Sequence, residues 1–175
     1  MIDPSYPIGK YVPEEYSEAK KEEWIADIAF LPKILESAIS NLDEHQLQTP
    51  YREGGWTVHQ LVHHIADSHI NAYIRFKLAL TEDNPTISPY EENEWVKTAD
   101  VIAEPINVSV TLLHALHRRW HAAIKDLTDE QWQRTLFHPA RQANLDLWYM
   151  LGLYSWHGRH HVAHINTLKE NKGWH

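Results

Sequence analysis

Apolar side chains recur every three to four residues along four long stretches of the chain, which is the period of an amphipathic helix. The first stretch runs from about Glu14 to Leu42 and contains Pro32, which should bend the helix or end one of its turns. The second stretch follows two glycines, has Thr57 as a suitable N-cap, and runs to about Leu80. None of the chain shows the sustained alternation that a β-strand would give.

Two further helices are predicted nearer the C-terminus, at about Val108 to Leu127 and about Leu145 to Lys169. The last helix should stop near Gly173, a residue that suits a helix end. Four helices of about 20 residues each favour a bundle. We therefore predict an all-α four-helix bundle that forms a single domain over residues 1–175.

Two long connections separate these helices, at about Thr81 to Asn107 and about Thr128 to Asn144. Connections longer than about 15 residues are usually functional or disordered. Both contain prolines, and both carry aromatic side chains that can pack, namely Tyr90, Trp95, Trp132 and Phe137. We expect two ordered connections that cover one end or side of the bundle.

Composition narrows the function classes. The 43% hydrophobic and 23% charged content is typical of a globular protein, and the net charge of -8 argues against a nucleic-acid partner. The absence of cysteine excludes disulfides, thiolate nucleophiles and zinc motifs that need cysteine. The longest apolar run, Leu147 to Tyr154, is too short to cross a membrane, and the N-terminus lacks the features of a signal peptide. We therefore expect a cytoplasmic protein without a membrane partner.

Histidine is unusually frequent, with 14 residues, and two pairs on the fourth helix have i,i+4 spacing. At about 100° per residue, His161 lies roughly 25° and His157 roughly 65° from the centre of the apolar stripe. His164 lies roughly 85° and His160 roughly 125° away, so this pair is predicted to point outward. Gly158 also lies on the inward side, where it leaves room for a ligand or for a close backbone.

The inward pair of His157 and His161 needs a partner for each ring nitrogen, because burying an unsatisfied imidazole costs free energy. A metal ion would supply one partner and a second acceptor the other. The alternative is a pair of hydrogen-bonded core histidines without a metal, as part of a purely structural bundle.

A histidine from the second helix could complete a three-histidine face and leave a fourth position open, as in catalytic zinc sites. The candidates are His63, His64 and His69. His69 lies nearest the centre of the apolar stripe and the other two lie toward its edges. Periodicity alone leaves the third ligand open.

The remaining polar candidates are most simply surface groups. His114, His117 and His121 are predicted to lie on a solvated flank of the third helix, and His45, His59, His138 and His175 on the surface. Asp67 is a candidate for a general base, but a solvated helix charge is the simpler interpretation. Arg75 and Arg159 could bind a substrate carboxylate or phosphate, but exposed salt bridges are the simpler interpretation.

Three ordered segments resemble the DinB/YfiT-like superfamily, in particular its YfiT-like branch of metal-dependent hydrolases, which includes bacillithiol transferases. They are GGWTVHQLVHHIADSH at 54–69, NAYIRFKLALTEDNP at 71–85 and YSWHGRHHVAHI at 154–165. The resemblance covers nearly the whole chain. It implies a four-helix bundle, commonly dimeric, with one divalent metal bound by three histidines.

By this resemblance the metal ligands are His64, eight residues after the tryptophan that opens the second helix, together with His157 and His161. The sequence departs from the wider superfamily at Ala163-His164, where a Gly-Gln pair is frequent. That departure suits the YfiT-like branch and leaves His164 as a possible wall of the site.

The expected function is therefore that of a metal-dependent enzyme which activates a thiol or a water molecule. The two activities are S-transfer of a low-molecular-weight thiol of the bacillithiol type, and hydrolysis. We expect zinc or nickel as the metal, a small-molecule substrate and a homodimer. The alternative is a non-catalytic module that binds or senses a small molecule through its metal.

Overall fold

Four long helices and two structured connections make up the computed structural model, which describes residues 4–174. His175 lies outside the described residues. In chain order the elements are α1 (Glu18–Ile39), α2 (Glu44–Leu47), α3 (Val58–Thr81), α4 (Glu92–Trp95), α5 (Ala99–Ala103), α6 (Ile106–Ile124), α7 (Asp129–Trp132), β1 (Thr135–His138), β2 (Ala143–Asp146) and α8 (Leu147–Lys172). The predicted four-helix bundle is confirmed, with α1, α3, α6 and α8 as its helices.

The local sequence explains where these helices begin and end. Thr57 caps α3, as the sequence predicts, and it also forms a reciprocal capping box with Gln60. Asp146 caps α8 by accepting a hydrogen bond from the amide of Tyr149, and α8 ends at Gly173, whose φ is +66°. α1 continues through Pro32 instead of ending at it.

Each of α1 and α3 packs against both α6 and α8. One part of the core is rich in aromatic residues, including Trp24, Phe76 and Trp120. The other part is mainly aliphatic, with Leu35 and Ile65 fully buried. Burying each such side chain contributes about 1.5–3 kcal/mol, so the core holds the histidine-bearing helices α3 and α8 in fixed positions.

Two glycines allow α1 to approach α8 closely. A Cβ atom at Gly158 would lie 2.8 Å from a methyl group of Leu31, so this position accommodates a neighbouring helix and not a ligand. A Cβ atom at Gly152 would lie 2.5 Å from the Tyr11 hydroxyl and 2.7 Å from the Trp24 ring.

We expect Gly152→Ala to lower the free energy of unfolding by about 1–3 kcal/mol, the usual range for overpacking. Trp24 is 1% exposed and its large, rigid ring packs against Trp148, with ring centroids 4.4 Å apart. Gly158→Ala is the matched control with the smaller loss, because the end of the Leu31 side chain can rotate away. Urea denaturation of the two variants gives the comparison. An equal loss in both would contradict the assignment of the rigid contact to Trp24.

The long connections contain ordered structure, as predicted, and one of them contains strands that the periodicity did not predict. β1 and β2 pair antiparallel, with Phe137 opposite Asn144. Phe137 also donates its amide hydrogen to the Pro85 carbonyl, which ties the first connection to the second. Strands of four residues are too short to show a sustained alternation. Trp132 from α7 is buried beside them, as its apolar character predicts.

Candidate metal centre

Three histidine Nε2 atoms converge where α3 faces α8. His157 Nε2 lies 3.3 Å from His64 Nε2 and 3.1 Å from His161 Nε2. One ligand atom from each of the three residues lies within 4.8 Å of the other two. The structure therefore brings together the inward pair of the fourth helix and the one second-helix histidine that the resemblance selects.

These separations fit a single metal ion. In a tetrahedral zinc site with Zn–N bonds of about 2.0–2.1 Å, two ligand nitrogens lie about 3.3 Å apart. His161 Nδ1 is buried without a hydrogen-bond partner among the described residues. If none of the three facing nitrogens carries a proton, three lone pairs point at one another and none has a hydrogen-bond donor. A single cation bound between them would give all three nitrogens a partner.

Burial keeps the three imidazoles neutral at physiological pH. Desolvation lowers the pKa of His64 to about 4. It also lowers the pKa of His157 and His161 well below the ordinary value, with the neighbouring histidines adding to the effect. A neutral imidazole has the free lone pair that a metal ligand needs, so protons do not compete for this site near pH 7.

The three nitrogens open onto a cavity of about 670 Å³, which is large enough for a small-molecule substrate. Its wall combines aromatic and cationic side chains, and much of it comes from the connections and the N-terminal segment. The lining includes Tyr6, Tyr51, Arg52, Trp56, Arg75, Tyr90, His138, Arg141, Tyr154 and Trp156.

Arg75 lines this cavity, and its prediction as an exposed salt-bridge residue is wrong. The side chain is 8% exposed and donates hydrogen bonds to the Tyr154 hydroxyl and the Ser88 carbonyl. Its Nε has no partner, and it has no carboxylate partner within residues 4–174. Arg159, in contrast, is exposed and pairs with Asp27, as the sequence predicts.

A second group of histidines, His160 and His164, lies beside the first, and the prediction that these two point outward is wrong. Both rings are buried. One ring nitrogen from each of His160, His161 and His164 lies within 4.8 Å of the other two, so these three could also hold a metal ion. Trp156 stacks on His160 with ring centroids 4.4 Å apart, and Tyr51 packs on His164 at 4.2 Å. The segment around Tyr51 covers a helix face that is not apolar, so the apolar stripe alone could not reveal it. His164 forms part of the cavity wall.

Two histidines predicted on the surface are also buried. His59 is hydrogen-bonded to the Val101 carbonyl, and His117 is 1% exposed and donates its Nδ1 hydrogen to the Ile28 carbonyl. The sequence did not predict the burial of these two rings, because the backbone carbonyl that each ring is hydrogen-bonded to lies far away in the sequence. His114 and His45 are exposed, as predicted, while His121 is partly buried. His138 is also partly buried and lines the cavity.

Asp67 is partly buried and does not line the cavity that contains the three histidines. Burial and the negative charge of Asp100 raise the pKa of Asp67 to about 6. The folded state therefore holds this proton more tightly than the unfolded state. The resulting cost to stability is absent below about pH 4 and complete above about pH 6.

We expect Asp67→Asn to raise the free energy of unfolding at pH 7 by about 1–2 kcal/mol, a value reduced for solvent screening at a partly exposed side chain. The gain should disappear near pH 4, where the carboxyl is protonated in both states. Urea denaturation at the two pH values measures the difference. Asp126→Asn, at an exposed position, is the control and should change little at either pH. A gain that is independent of pH would show that burial of the charge is not its cause.

The structure is a helical bundle with a three-histidine group, which could hold a metal ion, at the wall of a cavity. These features define the class of protein, and the family follows from comparison with known proteins. The sequence profile of the DinB superfamily matches residues 28–165. The chain belongs to the DinB superfamily.

Individual relatives match over almost their whole length. The "Putative metal-dependent hydrolase YfiT" of Bacillus subtilis is 47% identical over 174 residues, covering 99% of this chain and 98% of the relative. A "Putative metal-dependent hydrolase" of Geobacillus kaustophilus is 45% identical over 175 residues, with the same coverage.

A solved structure shares the fold. It is described as "YfiT from Bacillus subtilis is a probable metal-dependent hydrolase with an unusual four-helix bundle topology". It superposes with a TM-score of 0.96 at 46% identity, and the match covers 99% of this chain and 100% of that chain. The relatives are thus named as metal-dependent proteins, and this chain has histidine groups that could bind a metal.

Proposed function

We propose that the protein is a metal-dependent enzyme in which His64, His157 and His161 bind one divalent ion that activates a thiol or a water molecule against a small electrophilic substrate. The observation that carries the proposal is the convergence of three Nε2 atoms, 3.1 and 3.3 Å apart in two of the three pairs, at the wall of the cavity. The names of the relatives as metal-dependent hydrolases support it.

The donor set decides what the metal can do. Three neutral imidazoles leave a divalent ion its full charge, so that it can lower the pKa of a water molecule or a thiol at an open position. Zinc and nickel both suit imidazole ligands, and we propose one of these two as the resident ion.

The cavity wall supplies binding and orientation. Arg75 offers a buried guanidinium without a carboxylate partner among the described residues, and Arg52 and Arg141 also line the cavity. A buried cation of this kind favours a substrate or thiol that carries a carboxylate or a phosphate. The aromatic rings of Trp56 and Tyr154 pack beside His64 and His157, with ring centroids 4.6 and 5.7 Å apart, and add apolar surface to the wall of the site.

One assay series tests this proposal and separates its two chemistries. Untagged protein loaded with zinc, or separately with nickel, is incubated with an electrophile panel in the presence and absence of bacillithiol. Metal-dependent conjugation would support thiol S-transfer. Cleavage of esters or amides without thiol would support hydrolysis. Stoichiometric metal without turnover in either series would overturn the enzymatic proposal in favour of a binding or sensing module.

A homodimer is a further proposal, which the resemblance to dimeric family members supports. Exposed apolar side chains on α1 and α6, namely Phe30, Val108 and Leu112, offer contact surface. Light scattering coupled to size exclusion would show twice the chain mass if the dimer forms.

Among the described residues, no helix is both long and apolar enough to cross a membrane.

A further inference from the structure

Three imidazoles form a hydrogen-bonded chain that leads away from the metal centre into the core. His157 Nδ1 lies 3.0 Å from His69 Nε2, and His69 Nδ1 lies 3.0 Å from His117 Nε2. His117 Nδ1 lies 2.5 Å from the carbonyl oxygen of Ile28 on α1. The chain thus connects α8, α3, α6 and α1 in turn.

The backbone carbonyl fixes the direction of every hydrogen bond in this chain. A carbonyl oxygen only accepts, so His117 must carry its proton on Nδ1. In the neutral ring, His117 Nε2 is then an acceptor, and His69 must donate from Nδ1. His69 Nε2 is an acceptor by the same argument, so His157 donates from Nδ1.

At the metal-centre end of the chain, these hydrogen bonds give His157 the tautomer that a metal ligand requires. A neutral His157 with its proton on Nδ1 has its lone pair on Nε2, the atom that faces His64 and His161. Histidine ligands commonly donate their second N–H to a carboxylate, carbonyl or water, which fixes the ring and its tautomer. Here two further imidazoles stand between the ligand and the carbonyl.

We propose that His69 and His117 are positioning residues that hold His157 in the Nδ1-protonated tautomer, by transmitting the polarity of the Ile28 carbonyl to the metal centre. The proposal rests on the proposed function for its consequence, which is tighter metal binding. The direction of the chain itself does not depend on a metal.

Packing holds the two intermediate rings in place. His69 is 0% and His117 1% exposed. The rings stack at a centroid distance of 5.0 Å, and both contact Trp120. If either ring adopted the opposite tautomer, a buried N–H would be left without an acceptor. That loss costs free energy and therefore disfavours the opposite tautomer in both rings.

Nitrogen-15 NMR of the uniformly labelled protein tests the direction directly, because it distinguishes protonated from unprotonated ring nitrogens. We expect protonated Nδ1 and unprotonated Nε2 on His69, His117 and His157. The spectra are recorded on metal-free and on zinc-loaded protein. Protonation of His69 at Nε2 would overturn the proposal. A protein that binds no zinc but shows the expected pattern would overturn the proposed function and leave the chain direction standing.

Zinc affinity of substituted proteins tests the consequence. Competition with a chromophoric chelator should show His69→Leu about 10–100-fold weaker than the wild type, the usual loss for a group that orients a ligand. His69→Gln should recover most of this loss, because its amide can accept from His157 and donate to His117 in the same direction. The exposed His114→Leu is the control. Equal affinity in His69→Leu and wild type, or no recovery in a folded His69→Gln protein, would contradict the positioning role.

Discussion

His64→Ala and His157→Ala proteins are expected to retain less than about a tenth of the zinc of the wild type, which should bind about one ion per chain in a three-histidine site. His160→Ala and His164→Ala proteins are expected to keep their zinc. The substitutions distinguish two neighbouring groups of histidines that share His161. A change at His161 alone removes a ligand from both groups and therefore cannot distinguish them.

The expected difference follows from the positions of the nitrogens. His64, His157 and His161 present Nε2 atoms from two helices to one point, whereas His160 and His164 lie on one helix with their Nε2 atoms 3.2 Å apart. Loss of one ligand leaves two imidazoles, so affinity should fall by more than the roughly 10–100-fold that loss of an orienting group costs.

Mass spectrometry of metal content on untagged proteins gives the result, with circular dichroism to show that each variant folds. Zinc lost only from the His160 and His164 variants would assign the ion to the other group. Absence of metal from wild-type protein incubated with zinc or nickel would return all five histidines to a structural role.

Arg75→Met is expected to lower kcat/KM for an anionic electrophile by about 10–100-fold, since hydrogen bonds to a charged group contribute about 1.5–3 kcal/mol. An uncharged electrophile of similar size should lose much less. The same substitution should lower the free energy of unfolding by no more than about 1 kcal/mol, because the buried guanidinium has no carboxylate partner in the described part of the chain and is costly to bury.

Arg159→Met is the matched control for this experiment. Arg159 is exposed and pairs with Asp27 and Glu23, so its loss should leave both rates unchanged. Initial rates on the anionic and uncharged substrates, together with urea denaturation, give the three quantities. A loss of rate that is the same for both substrates would show that Arg75 supports the structure of the site and does not bind an anion.

Much of the fold could be predicted because helix formation is encoded locally. The spacing of apolar residues locates the four long helices, Thr57 marks the start of α3, and Gly173 marks the end of α8. The start of α1 is less accurate, since the helix is capped by Ser17 and begins at Glu18, not near Glu14. The four-residue strands β1 and β2 lacked enough length for a periodic signal.

The candidate site could be predicted only in part. Periodicity placed His157 and His161 on the inward face of α8, but it left three choices on α3, and the resemblance to known proteins selected His64. Periodicity also placed His117 and His160 away from the core, and Arg75 was interpreted as an exposed salt-bridge residue, while the structure buries all three. His117 and Arg75 reach partners that are distant in sequence, the Ile28 carbonyl and the Tyr154 hydroxyl.

The sequence by itself determined the four long helices, the start of α3 at Thr57, the end of α8 at Gly173 and the inward direction of one histidine pair, because each depends on residues within a few turns of one another. The tertiary structure alone decided which polar faces are buried and which nitrogens meet. The sequence of a helix does not show which other segments will cover its polar side chains. At the cavity, many of the covering side chains come from the connections and the N-terminal segment. The burial of Arg75 and the imidazole chain from His157 to Ile28 therefore became visible only when four helices and two connections were assembled.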